Sequence, residues 1–135
     1  MVEWRGGIGM SATRAAVCVA LAVLAVGAAV RDPFAGNWKV QVTPEGAGRG
    51  FNDTLTFRGG QMQAAELMKQ GWESESFEDD VRRGGVAQFT AVLKHPTQGR
   101  MRWTGMVTAS EIRGDVVWTT ADGEERRFSY TGTKL

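Results

Sequence analysis

The chain has 135 residues, of which 16 are basic and 15 acidic. This near-neutral charge argues against nucleic acid or an anionic membrane surface as the main partner. Cys18 is the only cysteine and His95 the only histidine, which excludes a disulfide framework and a cysteine-type zinc site.

An uncharged, apolar run over residues 15–30 follows Arg14. A basic residue, an apolar stretch of about 12 residues and small residues after it are typical of a secretory signal. We predict a signal peptide over residues 1–28, starting at Met1 or Met10, and export to the periplasm or the medium. The alternative is an uncleaved membrane anchor, for which the run is short against the ~20 residues of a span. After cleavage no stable membrane span would be left.

The predicted mature chain, residues 29–135, has about 107 residues, enough for one small domain. Residues 1–28 contain two arginines and one glutamate, which leaves 14 basic and 14 acidic residues in this domain.

Apolar and polar residues alternate through most of this domain, and Gly-Gly, Pro and Asp-Gly turn signals separate the runs. Alternation places one set of side chains on each face of a strand. Residues 61–70 are ambiguous, because they fit a strand or a short helix. The predicted strands are 36–43, 51–58, 61–68, 72–78, 85–94, 100–109, 111–120 and 124–133.

Short strands joined by short, similar connections favour an all-β fold. We predict an antiparallel up-and-down β-barrel of about eight strands, since closure removes the exposed edges of a sheet.

The sequence Gly36-Asn37-Trp38 opens the first predicted strand, and a basic pair, Arg126 and Arg127, lies in the last one. A Gly-x-Trp motif, a meander and a late basic residue resemble the lipocalin-like (calycin) barrels, in particular small exported bacterial ones. The resemblance implies that Trp38 closes the barrel floor and that an arginine packs across it. Arg126 is favoured because it shares a face with Phe128 and Tyr130, while solvated charges are the alternative.

Eight aromatic residues fall on the faces assigned to the interior, and Gly105 and Gly114 interrupt those faces on neighbouring strands. An eight-stranded barrel either fills its interior with side chains or holds one small ligand. The glycines therefore either admit a neighbouring aromatic ring or leave a hollow. The candidate ligand-binding residues are Phe89, Trp103, Gly105, Trp118 and Tyr130.

No catalytic or metal-binding constellation is visible. His95 lies in a Lys-His-Pro turn, where a surface position is favoured over a role as ligand or base. The acidic residues between Glu73 and Asp80 lack the spacing of a calcium loop and are expected to be solvated. Trp72, next to these acids, is expected to lie on a wetter strand than Trp38.

The sequence thus predicts a non-catalytic exported barrel without cofactor or metal, binding a small apolar molecule at one mouth. The alternative is a packed barrel without a ligand, which acts as a structural or protein-interaction module of the cell envelope. Neither ligand identity nor oligomeric state can be predicted from the residues.

Overall fold

We analysed the protein in a computed structural model, which describes residues 32–81 and 85–135. The predicted signal peptide lies outside these residues. Pro33–Leu135 forms one compact unit. Across the described ranges, no helix is long and apolar enough to cross a membrane.

The alternating runs all form strands, and the turn signals lie between them. The elements are β1 Asn37–Pro44, β2 Phe51–Arg58, β3 Gln61–Ala64, α1 Ala65–Lys69, β4 Glu73–Val81, β5 Ala87–His95, β6 Gly99–Val107, β7 Glu111–Thr119 and β8 Glu125–Lys134.

These strands form a single antiparallel sheet in the order β3-β2-β1-β8-β7-β6-β5-β4. Strands that follow each other in the chain are paired in the sheet, except β3 and β4, which form its two ends. In addition, β1 pairs with β8, from Trp38 opposite Lys134 to Pro44 opposite Phe128. The two ends of the sheet, β3 and β4, approach each other where the Ser74 hydroxyl donates a hydrogen bond to the Met62 carbonyl. The predicted all-β, eight-stranded, up-and-down barrel is confirmed, and it is nearly closed.

The ambiguous segment contains both predicted structures. Met62 and Ala64 alternate inward as a short strand, and Ala65-Glu66-Leu67-Met68-Lys69 then forms a helix of good helix formers. Gly71 ends the helix at φ +100°. The Trp72 N–H donates to the Leu67 carbonyl and the Gly71 N–H to the Met68 carbonyl, which is the Schellman pattern. A strand over the whole of 61–68 was therefore wrong in its second half.

Two predicted turns are confirmed. Gly59 and Gly60, both with positive φ, join β2 to β3 in a two-residue loop. Such loops need φ > 0 at both positions. Asp122-Gly123 lies in the connection from β7 to β8, where the Thr120 N–H donates to the Glu124 carbonyl at 2.8 Å.

The interior is filled with apolar side chains. All eight aromatic residues assigned inward are buried or packed against the buried cluster. We call the end of the barrel where Trp38, Phe57 and Lys134 lie the floor end. The opposite end, where Phe51, Met101 and Trp118 lie, is the mouth end.

Candidate functional site

An open cleft of about 900 Å³ lies at the mouth end, between α1, the Gly-rich loop 45–50 and the ends of several strands. Its apolar lining consists of Phe51, Leu67, Trp72, Met101, Trp118 and Phe128. Its polar rim includes Glu45, Arg49, Asn52, Glu66, Gln70, Gln98, Glu125, Arg126 and Arg127. We call this site the mouth cleft.

Two aromatic pairs form the apolar part of the mouth cleft. The Trp72 and Trp118 rings lie edge to face with centroids 6.1 Å apart. The Phe51 and Phe128 rings do the same at 6.5 Å. Phe51, Trp118 and Phe128 are half-buried, so part of their ring surface is open to the cleft, whereas Trp72 is almost fully covered.

Trp118 is fixed on both sides. Its Nε1–H donates to the Gln98 carbonyl at 2.7 Å, which ties the indole to the turn between β5 and β6. The Arg126 guanidinium lies over the indole, 5.2 Å from the ring centroid. Arg126 also forms an exposed ion pair with Glu124.

The predicted contact between Arg126 and Trp38 is wrong. Arg126 is on the inward face of β8, as the alternation indicated, but it lies opposite Trp118 at the mouth end. Trp38 lies at the floor end, where Lys134 is its partner across the strands and places Nζ 5.5 Å from the ring centroid. Alternation predicts which face of a strand a residue lies on, but not which residue of another strand it contacts. Arg126 and Lys134 share the inward face of β8 but lie eight positions apart, at opposite ends of the barrel.

The floor end is closed by the segment that precedes β1. Phe34 is buried, and its carbonyl accepts a hydrogen bond from Trp38 Nε1 at 3.3 Å. Its ring packs against Phe57, Phe77 and Phe89, with centroids 5.1, 5.7 and 6.0 Å away. Trp38 is fully buried, and the segment that contains Phe34 covers its indole.

The five candidate ligand-binding residues do not form one surface. Trp118 alone among them lines the mouth cleft. Phe89, Trp103 and Tyr130 are buried in the core, where the Trp103 and Tyr130 rings lie 5.1 Å apart. A Cβ at Gly105 would clash with the Tyr130 hydroxyl and lie 2.8 Å from Phe89, so the glycine admits neighbouring rings rather than leaving an interior hollow.

Tyr130 and Trp103 differ in how their polar atoms are satisfied. The Tyr130 hydroxyl donates to the Thr104 carbonyl at 3.1 Å. Burial, and to a smaller extent the charge of Asp115, raises the pKa of this hydroxyl above its usual value. Trp103 Nε1 is buried without a hydrogen-bond partner among the described residues.

A second concavity, of about 740 Å³, lies on the outer face of β5 to β8, above Gly105 and Gly114. Its lining includes three of the five candidate ligand-binding residues, Phe89, Gly105 and Tyr130, beside outward-pointing polar side chains such as Gln88, Thr90 and Arg113. It lacks the paired aromatic surfaces of the mouth cleft.

Asp53 is a buried charged residue whose role the sequence did not reveal. Its Oδ1 accepts hydrogen bonds from the N–H groups of Thr54 and Glu66, at 2.7 and 2.8 Å, and Oδ2 accepts one from Leu67 at 3.3 Å. It therefore caps the first turn of α1 from β2. Burial raises the pKa of Asp53, against the opposing effect of these backbone hydrogen bonds. A charged residue within an inward-facing run was the available signal.

Trp72 lies where the sequence did not predict it, and His95 makes contacts that the sequence did not reveal. Trp72 is 2% exposed, so the expected wetter position is wrong. Its ring packs between Trp118 and His95, whose ring centroid is 5.3 Å away. His95 lies at the end of β5, next to the turn, as its Lys-His-Pro context indicated. It is half-buried, and both of its ring nitrogens are hydrogen-bonded. The local signal of neighbouring acids did not reveal that α1 folds Trp72 back over the mouth.

Within the described ranges, no group of three His, Cys, Asp or Glu residues is placed to hold a metal ion. No family model, curated protein or solved structure matches the chain. The barrel is thus established by its own strand pairing, and membership of the lipocalin-like family stays a prediction.

Proposed function

We propose that this protein is a non-catalytic binding barrel that takes a small, largely apolar molecule into the mouth cleft. The observation that carries the proposal is the contrast between a filled interior and an open cleft lined by two aromatic pairs. Ligand sites are typically concave, of about 300–1,000 Å³, and mostly apolar with a few polar groups. The mouth cleft, at about 900 Å³, falls within that range.

The polar rim favours a ligand with one polar end. Glu66 pairs with Lys69 at 3.1 Å and Glu125 with Arg127 at 3.0 Å, so much of the rim charge is already compensated. The amides of Gln70, Gln98 and Asn52 lie in the same lining and can donate and accept hydrogen bonds.

Titration with N-phenyl-1-naphthylamine, a neutral apolar fluorophore, tests the proposal. We expect saturable binding to the folded protein and about tenfold weaker binding by Trp118→Ala, the effect of losing ~1.4 kcal/mol of contact. The matched control is Val81→Ala, because Val81 is apolar, 56% exposed and outside the cleft lining. Equal affinities of the two variants would refute the mouth cleft as the site.

The alternative is a packed barrel that binds no ligand and acts as a structural or protein-interaction module. The core of fully buried apolar side chains favours it, because these side chains occupy the barrel interior. Absence of saturable binding by wild-type protein would support this alternative.

We further propose that the domain works after export, because a segment with the pattern of a secretory signal precedes it. N-terminal sequencing of protein recovered from an expressing host tests this. A new N-terminus near residue 29 is expected, and an intact N-terminus in the membrane fraction would favour the anchor.

A further inference from the structure

One imidazole connects the two sides of the mouth cleft. His95 Nε2 lies 2.9 Å from the Gln70 carbonyl at the end of α1. On its other side, Nδ1 lies 3.1 Å from the backbone nitrogens of both Thr97 and Gln98, in the turn between β5 and β6. Gln70 and Gln98 both belong to the lining of the cleft.

These contacts determine where the proton of His95 resides. A backbone N–H can only donate, so Nδ1 must accept the bonds from Thr97 and Gln98. A carbonyl can only accept, so Nε2 must carry the hydrogen that is donated to Gln70. The fold therefore holds the neutral Nε2–H form of the ring.

Protonation would affect the two sides differently. A proton on Nδ1 removes the acceptor for Thr97 and Gln98 and turns two hydrogen bonds into contacts between donors. The Nε2–H bond to Gln70 survives, and a positive ring is favourable beside the last carbonyls of a helix. Proton uptake therefore releases the turn 96–98 while α1 stays in place.

The turn is part of the cleft wall. The Gln98 carbonyl holds the Trp118 indole, and Trp72 lies between Trp118 and His95. We propose that His95 is a pH-sensitive latch of the mouth cleft, whose protonation frees the turn 96–98, loosens Trp118 and weakens ligand binding. This inference rests on the proposed function for its effect on binding, whereas the release of the turn stands independently of any ligand.

Charged side chains of both signs lie on the elements around His95. Lys69 forms an ion pair with Glu66 and Arg100 with Glu75, and Lys94 lies opposite Glu73 in the sheet. Asp53, whose pKa is raised by burial, also lies near the cleft, since it caps α1. A test must therefore separate His95 from the carboxylates.

The variant His95→Asn provides that separation. An Asn side chain places an acceptor oxygen close to the position of Nδ1, so it can hold the turn, but it does not titrate. His95→Gln is the second variant, with a donor that reaches toward Gln70 and again no titration. All carboxylates are unchanged in both.

The first measurement follows the backbone amides of Thr97 and Gln98 and the indole N–H of Trp118 by NMR between pH 7.5 and 5.0, the range in which histidines change charge. In wild-type protein we expect the three signals to shift together along one titration curve, and in either variant we expect them to stay constant. Wild-type signals that do not move, or variants that titrate as wild type does, would overturn the latch.

The second measurement compares N-phenyl-1-naphthylamine affinity at pH 7.5 and 5.0. We expect about a tenfold loss in wild-type protein, comparable to one lost hydrogen bond, and no loss in His95→Asn. NMR signals that shift together while the probe affinity stays unchanged would overturn the proposal that His95 controls ligand binding. No probe binding at either pH would refute the proposed function, while the NMR shifts would still decide the latch.

Discussion

The two ends of the barrel are both aromatic, but they are closed in different ways. At the floor end, Phe34 folds back beneath the sheet and Trp38 is fully buried under it. At the mouth end, Trp118 and Phe128 are half-buried and line an open cleft. The difference shows that aromatic residues on inward faces form the core where the chain covers them and line an open cleft where it does not.

The largest expected effect tests the closed end. Trp38→Ala should lower the free energy of unfolding by about 3–5 kcal/mol, because a fully packed indole leaves a cavity. Trp118→Ala should cost about 1–3 kcal/mol, since part of that ring already contacts solvent. Urea denaturation midpoints measure both, and equal losses would mean that the two ends are packed alike.

A second test adds atoms to the core instead of removing them. Gly105→Ala should destabilise the barrel by about 1–3 kcal/mol, because the new methyl group would collide with the Tyr130 hydroxyl. Tyr130→Phe removes that hydroxyl, so the double variant should be less unstable than the sum of the two single losses. Strict additivity in thermal or urea unfolding would contradict the close packing of these two residues.

The mouth end depends on α1, and Asp53 holds the first turn of this helix. Asp53→Ala should cost about 1–2 kcal/mol, because three backbone N–H groups lose their acceptor. Probe affinity should fall as well, since α1 contributes Leu67 to the cleft. Unchanged stability would show that the cap is dispensable.

Asp53 also makes the stability of the folded state depend on pH. Because burial raises the pKa of Asp53 above its unfolded value of 3.8, the folded state binds the proton more tightly than the unfolded chain does. The stability contributed by this group is therefore fully present below pH ~4 and is lost as pH rises through the folded pKa. The stability of wild type relative to Asp53→Asn should fall across that range, and a rise would contradict the assigned direction.

The smallest expected effect concerns Arg126 and distinguishes its contact with Trp118 from the contact of Lys134 with Trp38. Arg126→Ala should cost about 0.5–1 kcal/mol, as expected for a cation over a ring at an exposed site. In double-mutant cycles the loss should couple to Trp118→Phe and be additive with Trp38→Phe. Coupling to Trp38 would restore the arrangement predicted from the sequence.

Much of the fold could be predicted from alternation and turns. The run 51–58 coincides with β2, and the other strand limits differ by a few residues, because a period of two and a Gly-Gly turn are local properties. The predictions that were wrong concern contacts between residues that are far apart in the chain. Nothing beside Trp72 indicates that α1 folds it over the mouth, and nothing beside Arg126 indicates which indole lies opposite it. The lining of the mouth cleft comes from five separate stretches of the chain, within 44–52, 66–72, 98–101, 118 and 125–128, so it could not be predicted from any one of them.

The pairing of β1 with β8 has a consequence for how the chain acquires its structure. Trp38 and Lys134 are opposite each other in the sheet although almost the whole domain separates them in the chain. Contacts of such high sequence separation slow folding, because the chain entropy is lost before the contacts form. During synthesis, β1 lacks this neighbour until the last strand emerges. The barrel therefore reaches its final form after translation of residues 125–134, and a chain truncated before Glu125 would expose unpaired edges on both β1 and β7.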